Sequence, residues 1–230
     1  MKTILTNSIS NIRKTILDNA SHIALNIVTI VFSVYLAQYI DRQREYERKQ
    51  NDVRDFLIGL KTDLKNDIKE MQEDKKAYLW NKLGFTRLIS TQPPPEDSLY
   101  RYMNVVYSRI GLVANSGRYE GFKASGKIMD IEDKELANNI LDLYQERIPM
   151  LLSSTNHYNK HKDMLSDYVN ATRISLHGKD NLREVINTPL FYNLANQLQY
   201  TGEIQQRYDM GIALCQKIID TINAKYATTN

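Results

Sequence analysis

Apolar positions recur along this chain at helical spacing, and one stretch is apolar on nearly every side. From Ile23 to Ile40 (IALNIVTIVFSVYLAQYI) there is no charged residue. At about 1.5 Å per residue this run is roughly 27 Å long as a helix, close to the ~30 Å of a bilayer's hydrocarbon core. It predicts a transmembrane helix over 23–40. The competing reading is a buried core helix, but a charge-free run of this length is rare in soluble domains. A cleaved signal peptide fits poorly: the run starts late, ends at Asp41-Arg42 without a small-x-small site, and leads straight into helix-forming sequence.

Residues flanking the run extend the pattern. Ile4/Leu5, Ile9, Ile12 and Ile16 recur at helical spacing with Arg13 and Lys14 opposite, which predicts an amphipathic interfacial segment over 1–22. Beyond the run, Arg42 to Asn51 is charged on nearly all sides, as a solvated juxtamembrane helix would be. No breaker occurs before Gly59 and no proline before Pro93, so a long helix is expected from about Ser21 to Leu79 or beyond, with 41–90 as its juxtamembrane part. Val53, Leu57, Leu60, Leu64, Asp67 and Met71 alternate four and three apart, a heptad seam interrupted only at Asp67. Such a seam serves either a coiled-coil stalk between subunits or one face of an intramolecular bundle.

The remainder, 91–230, is expected to form an antiparallel helical bundle with residues 50–90. TQPPPED at 91–97 breaks the first helix. Leu99, Met103, Val106, Ile110 and Val113 then mark one helical face, and 115–130 is a loop-rich junction. A helix follows from about Asp133 to His177, kinked or split at Pro149, with Leu136, Ile140, Leu143 and Ile148 apolar. HGKDN makes a turn. Thr188-Pro189 reads as an N-cap followed by proline at the first helical position. The last helix is expected to run unbroken to about Tyr226 through Phe191, Leu194, Leu198, Thr201, Gln205, Tyr208, Ile212, Cys215, Ile219 and Ile222. The fold class is therefore all-α: a membrane helix continuing into a long helix, then an antiparallel bundle.

Composition changes this picture little. The chain has 230 residues, long enough for an anchor plus one domain, and 25% of them are charged. Thirty basic and 27 acidic residues give a net charge of +3, too even to call for a nucleic-acid polymer. Basic residues do bear on orientation. Positions 1–22 hold Lys2, Arg13 and Lys14, whereas 41–60 hold Arg42, Arg44, Arg48, Lys49 and Arg54. The positive-inside rule then leans towards a cytoplasmic C-terminal domain. Within the anchor, Asn26, Thr29, Ser33 and Ala37 share one face. That stripe suits helix–helix association in a homo-oligomer or, alternatively, the lining of a pore.

Candidate chemistry is sparse. His157 and His161 lie four apart, a spacing that binds zinc, but a site needs a third ligand, nothing in the pattern singles out His177 or Asp163 for it, and no HExxH pattern occurs. They are read as polar surface or interface histidines, and no metal or cofactor is expected. Cys215, the sole cysteine, falls on the last apolar seam and reads as a core residue. Carboxylates such as Glu45 (with Lys49), Asp142 and Glu146 fall on solvated helix faces, and no nucleophile elbow, phosphate loop or dinucleotide fingerprint occurs. Catalysis is not expected. One segment stands out: Asn115–Ile131, NSGRYEGFKASGKIMDI, with three glycines beside three cations. Ser116, Arg118, Tyr119, Lys123, Ser125 and Lys127 there are candidate ligands for a small anion or nucleotide. The same residues also fit a short helix capped by Gly126, with Ile128 as the apolar contact after the cap.

The order of a basic N-terminus, a membrane helix, a long polar helix and then Tyr119-x-x-Phe122-Lys123-x-Ser125-Gly126, Ile131 and Leu136 resembles an uncharacterised bacterial family. That family groups single-pass inner-membrane proteins with a helical soluble domain. The resemblance is specific over residues 115–144. LAQYIDRQRE departs from the family's Gly-rich, Trp-ended anchor, and the N-terminus is less basic. The resemblance implies an all-helical membrane protein with no assigned enzyme activity and brings no functional residues with it.

Two functions compete. One is a membrane-anchored sensor or effector, of the kind used in defence, that oligomerises and alters the membrane when a small anionic or nucleotide signal or a protein partner binds. The other is a passive anchor or scaffold subunit of a larger envelope complex.

Overall fold

The computed structural model describes residues 2–177 and 179–226, and the side chains of 22, 24–177 and 179–226. It is all-α apart from one two-stranded ladder. The elements are α1 (Lys2–Leu88), α2 (Glu96–Tyr107), α3 (Gly117–Ala124), α4 (Lys134–Asp142), α5 (Ile148–Thr172), β1 (Ser175–Leu176), β2 (Lys179–Asp180), α6 (Leu182–Ile186), α7 (Pro189–Leu198) and α8 (Gly202–Tyr226). The chain divides into two compact units, Met1–Asp52 and Val53–Asn230, and α1 contributes to both.

In the first unit the chain is helical from Lys2 on. The amphipathic pattern expected over 1–22 depends on side chains that, His22 apart, lie outside the described residues. From Ala24 to Ile40 every side chain is exposed, including Val28, Phe32 and Tyr35. This is the one described helix long and apolar enough to cross a membrane. Glu45 and Lys49 pair at 3.1 Å on an exposed face, as their spacing predicts.

In the second unit the seam of α1 is buried and runs further than expected. Val53, Leu57, Leu60, Leu64, Met71, Tyr78, Phe85 and Leu88 are all at most 1% exposed. Each buried side chain of this kind contributes about 1.5–3 kcal/mol. The seam therefore serves an intramolecular core. One heptad position, read every seven residues, is Val53, Leu60, Asp67, Asp74, Asn81 and Leu88. Its third to fifth members are polar, with Asp67 and Asn81 buried and Asp74 half-buried.

Helix α8 lies antiparallel to this part of α1. Lys61 Nζ donates to Asn223 Oδ1 at 3.3 Å, Gly211 abuts Met71 Sδ, and Tyr208 donates to Asp74 Oδ2 at 2.7 Å. Lys75 pairs with Asp209, and Thr86 donates to Gln199 Oε1 at 3.3 Å. Ascending α1 thus matches descending α8, as an up-and-down bundle requires.

Several expected boundaries move. Helix α2 stops at Tyr107, so Ile110 is buried from an irregular segment and Val113 is exposed. Arg109 turns back on α2 and donates from Nη1 to the carbonyls of Val106, Tyr107 and Ser108, which helical continuation would otherwise satisfy. The segment that follows finds acceptors on α1: Val113 N–H donates to Glu70 at 2.8 Å and Asn115 N–H to Asp67 at 3.0 Å. The helix expected over 133–177 ends at Thr172 and contains a π turn at Leu143–Arg147. There Ile148 N–H donates to Leu143 O, five residues back. This wider turn accommodates Pro149, which lacks an N–H and crowds a carbonyl one turn earlier. The last helix is broken at Gln199–Thr201 into α7 and α8, although its apolar spacing continues through the break. Two helices open on side-chain caps, the one at Thr188 as expected. Asp133 accepts from Leu136 N–H, and Thr188 accepts from Phe191 N–H.

Candidate functional site

The glycine junction is largely helical. Residues 117–124 form α3, and Gly126 follows in the left-handed region at φ 76°. Its N–H donates to Lys123 O, closing the helix as the sequence predicts, and Ile128 is buried after it. Of the candidate anion ligands here, Arg118, Tyr119 and Ser125 are engaged within the protein. Arg118 lies across Gly59 and donates from Nε to Asp63 Oδ2 at 2.8 Å. Tyr119 is fully buried, stacked on Tyr144 at 4.3 Å, with its hydroxyl accepting from Gln145 Nε2 at 2.9 Å. Lys123 Nζ sits 5.6 Å from the Tyr119 ring centroid, and Ser125 Oγ donates to Phe122 O. Ser116 makes no side-chain cap bond, and Lys127 is half-buried. Phe122 stacks on Phe56 at 3.9 Å, so the segment docks α3 against α1.

The stripe on the first unit is exposed throughout: Asn26, Thr29, Ser33 and Ala37. Thr29 Oγ1 donates to Leu25 O and Ser33 Oγ to Thr29 O, so both hydroxyls are satisfied within their own helix.

A concave site exists elsewhere in the second unit. Where α7 gives way to α8, beside α5, there is a cleft of about 420 Å³. His157 and His161 of α5, Tyr200 of the break, and Glu203 and Arg207 of α8 supply its chemistry. The two imidazoles are edge to face at 4.7 Å, with their Nε2 atoms 3.2 Å apart. Arg207 spans the cleft: Nη2 donates to Glu203 Oε1 at 2.5 Å and Nη1 to Met150 O at 2.8 Å. Tyr158 is buried at the floor and donates to Leu198 O at 2.9 Å, at the buried C-terminal end of α7. Burial raises the Tyr158 hydroxyl well above the usual phenol range, so it remains a donor at neutral pH.

The histidine pair was visible in the sequence as an i, i+4 spacing. Its cleft was not. Glu203 and Arg207 also lie four apart, and they line the cleft together with the histidines. Cys215 is buried on α8 as expected, and burial pushes its thiol up to about 12, which leaves no thiolate for chemistry at neutral pH.

No protein-family model matches the chain, and neither a curated protein nor a solved structure does so. The resemblance noted over residues 115–144 rests on those residues alone.

Proposed function

We propose that this chain is a membrane-anchored, non-enzymatic sensor or effector. Residues 24–40 hold it in a bilayer, and the cleft between α5, α7 and α8 takes a small anionic ligand. The carrying observation is the exposure of every described side chain from Ala24 to Ile40, which contrasts with the closed seam beyond Val53. Leaving so many large apolar groups in water costs about 25 cal/mol per Å², and a bilayer removes that cost. The polar stripe on the same helix suits self-association once it is in lipid. In the cleft, Arg207 and two imidazoles offer N–H donors to an anion, and no activated nucleophile lines it. Ser154 donates its hydroxyl back to Met150 O.

Two measurements on one preparation test this. The full chain should stay with membranes through an alkaline carbonate wash, and a variant lacking residues 1–41 should be released. Release of both overturns the anchor. Calorimetry with pyrophosphate and ATP on the detergent-solubilised chain should show binding that weakens in H157Q and H161Q. No binding of either probe leaves the passive-anchor reading in its place.

A further inference from the structure

The facing imidazoles of His157 and His161 carry a more specific reading of the cleft. The inference rests on the cleft being a ligand site, but its chemistry is measurable by itself. Both residues lie on the same face of α5, at an interior position of a 25-residue helix, so their Cα atoms are held in fixed register. Their Nε2 atoms approach to 3.2 Å and open on the cleft. Ligand nitrogens sit about 2.0–2.1 Å from zinc, so two ligands of one tetrahedral ion lie about 3.3–3.4 Å apart. The observed separation is within about 0.2 Å of that value. Without an ion the same pair is satisfied when one Nε2–H donates to the other Nε2, so an ion would replace a shared proton.

We propose that His157 and His161 hold one first-row divalent transition-metal ion, of the zinc, nickel or copper type, through their Nε2 atoms. Imidazole nitrogen suits these ions and not magnesium or calcium, which take oxygen ligands. Among the described residues no group of three or more His, Cys, Asp or Glu side chains converges. The ion therefore has two protein ligands, and its other positions are open to water or to a ligand's own oxygen donors. An open metal position directed into the cleft supplies the anion affinity that Arg207, already paired with Glu203, supplies only in part.

The test is zinc binding to the chelator-stripped, detergent-solubilised full chain, followed by calorimetry and by dialysis against magnesium. One zinc ion per chain is expected, undisturbed by millimolar magnesium. H157A and H161A should each weaken it about tenfold or more, since even groups that only orient a ligand cost 10–100-fold when removed. H177A, which alters a histidine outside the cleft, should leave it unchanged. Circular dichroism of each variant should match the parent, because neither cleft imidazole is part of the buried core. Zinc affinity unchanged in H157A and H161A, or no zinc bound by the parent, overturns the metal site. If zinc fails while pyrophosphate still binds, the ligand cleft stands and only the metal falls. If both fail, the cleft reading falls with it.

Discussion

Asp67 and Asn115 are joined twice through one oxygen: Asp67 Oδ1 accepts from the backbone N–H of Asn115 at 3.0 Å and from its Nδ2 at 2.7 Å. Asp67 is fully buried, and its Oδ2 has no hydrogen-bond partner among the described residues. Burial raises the carboxyl above the usual carboxylate range, against the lowering effect of the two Asn115 bonds. The heptad position that looks like a flaw in the seam is therefore where the irregular segment after α2 is fastened to α1. Removing the side-chain donor in N115A should cost about 1.5–3 kcal/mol, the range for hydrogen bonds to charged groups. The denaturation midpoint measures it.

The same carboxyl sets a pH dependence. A folded-state value above the unfolded one means that the folded chain binds more protons, so the contribution of Asp67 falls as pH rises through that window. D67N keeps an acceptor for Asn115 and cannot ionise. The difference in melting temperature between D67N and the parent should shift in favour of D67N from pH 4 to pH 8. A difference that does not change with pH would show that Asp67 titrates alike in both states.

Lys162 presents the opposite sign. It is fully buried on α5, donates to Ser108 Oγ at 3.0 Å, and lies 5.9 Å from the Tyr158 ring centroid. Burial first, and then the nearby Arg109 charge, lower its ammonium to about 7. Asp163, the adjacent carboxylate, is paired with Arg109. The unfolded chain then binds the extra proton between about pH 7 and 10.4, so stability rises with pH across that window. K162M should stabilise the protein by on the order of 2–4 kcal/mol at pH 7, and the gain should fade towards pH 10.

These buried polar groups also show what the sequence could and could not display. Spacing made the seams of α1 and α8 legible, and with them the antiparallel pairing, because both obey a local repeat. The caps at Thr188 and Gly126 were legible because each satisfies backbone groups within a few residues. The end of α2 was not. Apolar spacing runs on through Ile110 and Val113, and what stops the helix is Arg109 turning back while Glu70 and Asp67 take N–H groups more than 40 residues away. The break before α8 was hidden in the same way, since Thr201 is buried in step with the seam on both sides. The cleft depends on that break, so its residues could be named singly but not grouped.

Asp180 ties the ladder to two helices. Its carboxylate accepts from Arg173 Nε at 3.1 Å and Nη2 at 2.5 Å, from Tyr100 at 2.9 Å, and from Leu182 N–H at 2.9 Å. The Arg173 bonds are the main reason its carboxyl lies at about 2. A depressed value contributes stability above the unfolded value of about 3.9, and that contribution is lost as pH falls to about 2. D180N should cost about 1–2 kcal/mol at pH 7, and the parent and variant curves should meet below about pH 2.

Gly84 of α1 lies directly against Val105 of α2. A Cβ added there would lie 2.6 Å from Val105 Cγ1 and 3.0 Å from Cγ2. Val105 is buried and β-branched, so it has no flexible end to move aside. In an unobstructed helix interior, alanine is preferred to glycine by about 0.5–1 kcal/mol. Here the clash should win, and G84A should lose about 1–3 kcal/mol. The cost should shrink once most of the obstruction is gone. In a V105A background, itself destabilised by the cavity, the Cβ left at position 105 still lies 3.3 Å from the added one, so G84A should cost about 1 kcal/mol or more less than it does in the parent. A full double-mutant cycle by chemical denaturation reads that coupling directly. If G84A costs the same in both backgrounds, the two helices are not in contact at Gly84 and Val105.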